Sequence, residues 1–206
     1  MYFAHSAKPT TDLTTVLINY INAGGCVIYG SEDNSKDDVN ILMNGIFGMS
    51  PAINQIGSGS DDVYMINNNL KDDPIINGPF GNVAGGYWGE DNVSDNSIVM
   101  TELPPYSVQI CPANSEKKKN THHPATSIVW YNNAKNFVYF GDSVGSSSNN
   151  SSDNAYPSIY STQGMPKTKI YGPGSTYNEY VYNSTLELNA VAWALKKAAI
   201  AGINGR

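Results

Sequence analysis

The stretch Thr10-Thr11-Asp12-Leu13-Thr14-Thr15-Val16-Leu17-Ile18-Asn19-Tyr20-Ile21-Asn22-Ala23-Gly24-Gly25-Cys26-Val27-Ile28-Tyr29 reads as a helix that stops and passes the chain to a strand. Leu13, Val16, Leu17, Tyr20 and Ile21 recur at the spacing of one apolar helix face. Thr10 or Thr11 can cap its start and Gly24 can end it. The apolar run Cys26–Tyr29 then fits a buried strand. A second helix is expected from near Ser35, with Val39, Leu42, Met43, Ile46 and Phe47 on one face and Gly48 at its end. Tyr2–His5 reads as a strand ahead of the first helix. Strand, helix, strand, helix in that order predicts a parallel βαβ unit with a right-handed crossover, and so an α/β fold.

Farther along, the pattern loosens. Ser50 to Asn96 is rich in Gly, Asn, Asp and Pro, with one short strand at Val63–Ile66 and a long loop over Asn67–Asn92. Two strands follow, Ser97–Thr101 and Ser107–Cys111, joined through Pro104-Pro105. Thr126–Tyr131 and Phe137–Phe140 flank a turn signal at Asn132–Asn136, which predicts a hairpin. Gly145–Asn154 and Ser161–Ser175 read as loops. Ser184-x-x-Glu187 has the form of a capping box for a terminal helix whose inner face would be Leu188, Val191, Ala192, Leu195 and Ala199, with Trp193 and Ile200 beside it.

The whole chain of 206 residues is taken as a single domain, residues 1–206. Met1 leads straight into an apparent strand, which suggests a piece excised from a longer protein. Only 15% of residues are charged, against about a quarter in an ordinary globular chain. Polarity comes instead from uncharged groups: Asn occupies 25 positions and Tyr 14. Such a surface suits glycans, which are read by amide and hydroxyl hydrogen bonds and by stacking on rings, although compositional drift would produce it equally well. A net charge of −6 argues against a nucleic-acid partner, and the one basic run, Lys117–Lys119, reads as a loop tip. The sequence holds no apolar run long enough for membrane insertion.

The acidic group Glu32, Asp33, Asp37 and Asp38 follows the Cys26–Tyr29 strand, at the end where open α/β sheets bind ligands. Asp37 and Asp38 fall in the first turn of a helix, where negative charge complements the dipole, so no metal site is assigned. Glu32 and Asp33 remain candidates for a polar cleft. Tyr87, Trp88 and Glu90 lie on the most distinctive loop, whose aromatic rings are either plugs or a stacking platform. Asp142 directly follows the strand Phe137–Phe140 and either caps a turn or faces a ligand. Cys26 and Cys111 are either one disulfide or two buried thiols. Cys26 starts a strand, the wrong end for a nucleophile elbow; Pro112 after Cys111 removes a backbone donor, though His122 and His123 lie across a loop from it. Neither strand-to-helix turn carries the glycines of a phosphate site, so no cofactor is expected.

Several of these segments together resemble class I glutamine amidotransferase-like domains, above all their trehalose-utilisation (ThuA-like) branch. The resemblance is carried by Tyr20–Ile28 with its Gly24-Gly25, by Asp73-Pro74-Ile75 with Gly78, by Ser127–Tyr131 and Phe137–Asp142, and by Asn189–Ala194. It implies a flavodoxin-like three-layer sandwich whose mixed sheet has a parallel core and antiparallel additions. The family's cysteine elbow is absent here, so no catalytic residue carries over. The Asn-rich style is similar to surface proteins of gut Bacteroidetes. The expectation is therefore a non-catalytic domain of an extracytoplasmic or cell-surface protein that binds a carbohydrate or a protein partner. The alternative is a hydrolase acting on a sugar-like substrate through polar residues at the strand ends, such as Glu32 and Asp142.

Overall fold

The computed structural model describes residues 2–3, 8–32, 34–56, 63–90, 95–112, 125–142, 157–171 and 179–203. In chain order its elements are β1 (Tyr2–Phe3), α1 (Thr11–Asn22), β2 (Val27–Gly30), α2 (Lys36–Phe47), β3 (Ile53–Ile56), β4 (Val63–Met65), β5 (Asn77–Gly78), β6 (Gly81–Asn82), β7 (Tyr87–Gly89), β8 (Asp95–Val99), β9 (Ser107–Pro112), β10 (Thr126–Asn132), β11 (Phe137–Phe140), β12 (Lys169–Tyr171), β13 (Glu179–Val181) and α3 (Asn183–Ile200).

Both early helices begin near the expected residues and are closed by local caps. The Thr10 hydroxyl accepts from the Leu13 amide at 3.1 Å. Ser35 and Asp38 form a reciprocal capping box at the start of α2, and Gly48 ends it in the left-handed region at φ 70°. Leu17 and Ile21 of α1, with Val39, Leu42, Met43 and Ile46 of α2, are buried together against one face of the sheet. Val16 is not part of that face: it is 53% exposed.

The central sheet runs β1-β2-β11-β10-β8-β3, with β9 also bonded to β10. Its β1, β2 and β11 are parallel neighbours, and β1-α1-β2 is the expected βαβ unit. From β11 outward the pairing is antiparallel, through the β10–β11 hairpin and then β8 and β3. Alternation along the strands fixes two faces. Val27, Tyr29, Phe137 and Tyr139 point at α1 and α2, whereas Ile28, Val138 and Phe140 join a second core with Leu186, Ala190 and Trp193 of α3. The chain is thus a three-layer α/β sandwich with a mixed sheet.

The second face differs from the sequence reading in three respects. Asn67–Asn92 is not an open loop: its described part holds the β5–β6 hairpin and β7. Strand β7 belongs to a four-stranded sheet, β12-β13-β7-β4, of which β12 falls inside the expected loop Ser161–Ser175. Trp88 and Tyr64 of this small sheet pack into the core shared with α3. Finally, Ser184 and Glu187 do not cap α3, which starts without a side-chain cap. The Ser184 hydroxyl donates to the Ile159 carbonyl at 2.7 Å, and Glu187 accepts from Ser158 at 2.9 Å and Tyr160 at 2.7 Å. The inner face of α3 is accordingly Leu186, Asn189, Ala190 and Trp193, while Leu195 is 57% and Ile200 77% exposed. Polar side chains turn inward because loops wait there to be bonded: Asn189 donates to the Gly81 carbonyl and accepts from the Phe80 amide. The expected loop Gly145–Asn154 lies outside the described residues.

Candidate functional site

The carboxyl-terminal ends of the parallel pair β2 and β11 lead into Ser31 and Gly141. These two exits are bonded to each other. The Ser31 hydroxyl donates to the Gly141 carbonyl at 2.9 Å, and the Ser31 amide continues the ladder to the Phe140 carbonyl at 3.0 Å. Asn96, at the start of β8, donates its backbone amide to the same Gly141 carbonyl at 2.6 Å. Gly141 has no room for a side chain, since a Cβ would stand 2.2 Å from the Asn96 carbonyl oxygen and 2.5 Å from Ile128 Cγ1. Glycine here allows three strands to meet.

Side-chain amides knit this edge. Asn96 Nδ2 donates to the carbonyls of Ser31 at 2.9 Å and Asn34 at 3.0 Å. Gln55 of β3 adds a bond to the Asn34 carbonyl at 2.7 Å, and Asn34 Nδ2 donates to the Tyr29 hydroxyl at 2.8 Å. The Tyr139 hydroxyl lies 3.0 Å from Ser31 Oγ and 3.1 Å from the Asn96 carbonyl. Burial pushes the Tyr29 hydroxyl up, reinforced by Tyr139 and Asp38. Burial also raises Tyr139, against a lowering by its Ser31 bond. Both phenols therefore stay protonated near neutral pH; the Tyr139 hydroxyl donates, whereas Tyr29 accepts from Asn34.

Once these bonds are made, the edge is short of donors. Both protons of the Asn96 amide are engaged, which fixes its orientation. Its Oδ1, in a residue with no exposure, has no hydrogen-bond partner among the described residues, and neither has Asn34 Oδ1. A buried acceptor without a donor costs about 1–3 kcal/mol.

Of the residues singled out from sequence, Glu32 and Asp142 come to this edge, each one residue beyond the Ser31–Gly141 bond and each 1% exposed. Neither is solvated. Glu90 is fully buried at the end of β7, two residues after Trp88, whose ring packs against Phe140 at 6.4 Å. Trp88 has no exposure and is a core plug rather than a stacking platform. Tyr87 packs beside Val63, Tyr171 and Val181 on the small sheet. Asp33, His122 and His123 lie outside the described residues. Sequence reasoning missed Ser31, Asn34, Asp95 and Asn96. The available signal was the polar triplet Asp95-Asn96-Ser97 in front of Ile98: all three are buried, and β8 begins two residues before the expected start at Ser97.

The thiols are settled. Cys26 and Cys111 are buried and are not joined in a disulfide. Burial raises both, Cys111 well above the ordinary thiol range, so neither offers a thiolate near neutral pH. Among the described residues no group of three His, Cys, Asp or Glu side chains is placed to hold a metal ion. No described helix is long and apolar enough to cross a membrane. No family model, no curated protein and no solved structure matches the chain.

Proposed function

We propose that this chain is a non-catalytic binding domain that takes a hydroxyl-rich ligand of the carbohydrate class at the carboxyl-terminal ends of β2 and β11. The observation that carries the reading is Asn96 Oδ1, a fully buried acceptor held in a fixed orientation with no donor. A sugar hydroxyl supplies such a donor and still accepts from a tyrosine. The location supports it, because ligands of open α/β sheets bind outside the carboxyl ends of the strands. An extracytoplasmic setting belongs to the same proposal and rests on the low charge and the abundance of Asn. So does kinship with class I glutamine amidotransferase-like domains of flavodoxin-like fold, which rests on β1-α1-β2-α2 and the parallel β11.

One observation favours the hydrolase alternative: the Ser31–Gly141 bond sets Glu32 and Asp142 at neighbouring strand ends. Paired carboxylates are the machinery of glycoside hydrolysis. Calorimetric titration with neutral mono- and oligosaccharides, alongside product analysis of the same mixtures, separates the two. Heat of binding with unchanged sugar supports the binding domain, and cleaved sugar supports the hydrolase. Silence with every sugar, together with capture of a defined protein partner, would reject both.

A further inference from the structure

A second surface offers a site away from the strand ends. Helices α1 and α2 touch where Thr14 meets Gly45: a Cβ at Gly45 would stand 1.9 Å from Thr14 Cγ2. Around this contact a groove of about 450 Å³ opens between the helices. Two of its hydroxyls are engaged within the helix. Thr14 donates to the Thr10 carbonyl at 2.8 Å and Thr15 to the Thr11 carbonyl at 3.0 Å. Asn44 Nδ2 is turned to Ser50 Oγ at 3.4 Å. Asn40 Oδ1, also in the lining, is buried and has no hydrogen-bond partner among the described residues. Among its polar groups the groove offers acceptors: threonine lone pairs and the Asn40 carbonyl. Ile18 and Ile41 contribute apolar surface, with Ile41 39% exposed.

We infer that this groove is a second binding site, selective for a neutral disaccharide. The volume lies within the range of small-molecule pockets. Sugar hydroxyls donate to the acceptors, and the C–H face of a ring covers the isoleucines. Asp37 in the lining disfavours anions, while the threonine and asparagine acceptors are uncharged. The inference does not depend on the strand-end site.

The test is amide-resolved NMR on the intact chain, titrated with maltose, cellobiose and N,N′-diacetylchitobiose, with spermidine as the cationic probe and sulfate as the anionic one. At least one disaccharide should shift the amides of Thr14, Thr15, Ile18, Ile41 and Gly45. Asn40→Leu, which keeps the volume and removes the acceptor, should weaken that response about tenfold. Thr15→Phe, which fills the groove from an exposed position, should abolish it. Absence of shifts here with every sugar, a response unchanged in both variants, or a response to spermidine or sulfate alone overturns the inference. Shifts confined to Ser31, Asn34, Asn96 and Gly141 would overturn it while supporting the strand-end site. Shifts confined to the groove would do the reverse.

Discussion

Asn96 and Ser31, 65 residues apart, are joined by a side-chain amide that donates to a carbonyl across 2.9 Å. The same amide reaches Asn34, so one asparagine ties β8 to the loop leaving β2. Asn96→Asp would turn this donor into an acceptor facing two carbonyl oxygens, with Asp95 adjacent. The expected loss is about 3 kcal/mol or more, because a buried charge would be left without compensation. Equilibrium urea unfolding measures it, and a loss below about 1 kcal/mol would mean that the edge is not closed as described.

Gly45→Ala should destabilise the chain although alanine is the better helix former by about 1 kcal/mol. The new methyl collides with Thr14 Cγ2, and overpacking costs about 1–3 kcal/mol. Thr14→Ser removes that methyl and keeps the hydroxyl bonded to Thr10. The double variant should therefore recover most of the loss, a coupling that a double-mutant cycle by thermal unfolding reads directly. Additive effects would contradict the contact.

Glu187 holds the hydroxyls of Ser158 and Tyr160 on its two oxygens. Glu187→Gln replaces one acceptor by a donor and should cost about 1.5–3 kcal/mol. The change should be local. The Ile159 amide, bonded to Ser184 Oγ at 2.9 Å, should exchange with solvent faster, while amides of α1 and α2 keep their protection. Uniform loss of protection would instead mark Glu187 as part of the global core.

Stability should fall in alkali. Burial raises the thiols of Cys26 and Cys111 above 9.0 and the phenols of Tyr29, Tyr131 and Tyr139 above 10.0. A group raised in the folded state stays protonated there while its unfolded counterpart ionises. Its contribution is whole below the unfolded value and is lost as pH climbs from that value toward the folded one. Urea midpoints should thus be flat up to about pH 8.5 and then drop, each group adding about 1.4 kcal/mol per pH unit once its unfolded form ionises. Cys111→Ala should soften the first part of that drop. A midpoint that rises with pH in this range would contradict the burial of these groups.

The parts of this fold legible from sequence are those where burial follows a single period. In α1, α2 and the β10–β11 hairpin, apolar residues face the core and the caps are Thr10, Ser35 and Gly48. The small sheet was hidden because β12 and β13 have three residues each and β12 buries Lys169. The face of α3 was misread because its inner side carries Asn183, Ser184, Glu187 and Asn189, which bond segments distant in sequence. The candidate site was half visible. Glu32 and Asp142 follow apolar strands and could be found by position, whereas Asn34 and Asn96 matter through bonds to backbone carbonyls that no sequence pattern encodes.

The most direct test of the strand-end site is to follow the side-chain amide resonances of Asn34 and Asn96 by nitrogen-resolved NMR during titration with a sugar that binds. A hydroxyl arriving at Oδ1 polarises the amide, so both side-chain signals should move in step with binding and saturate with it. If a sugar binds tightly and both signals stay where they were, the ligand does not sit at the ends of β2 and β11, and the proposal is wrong.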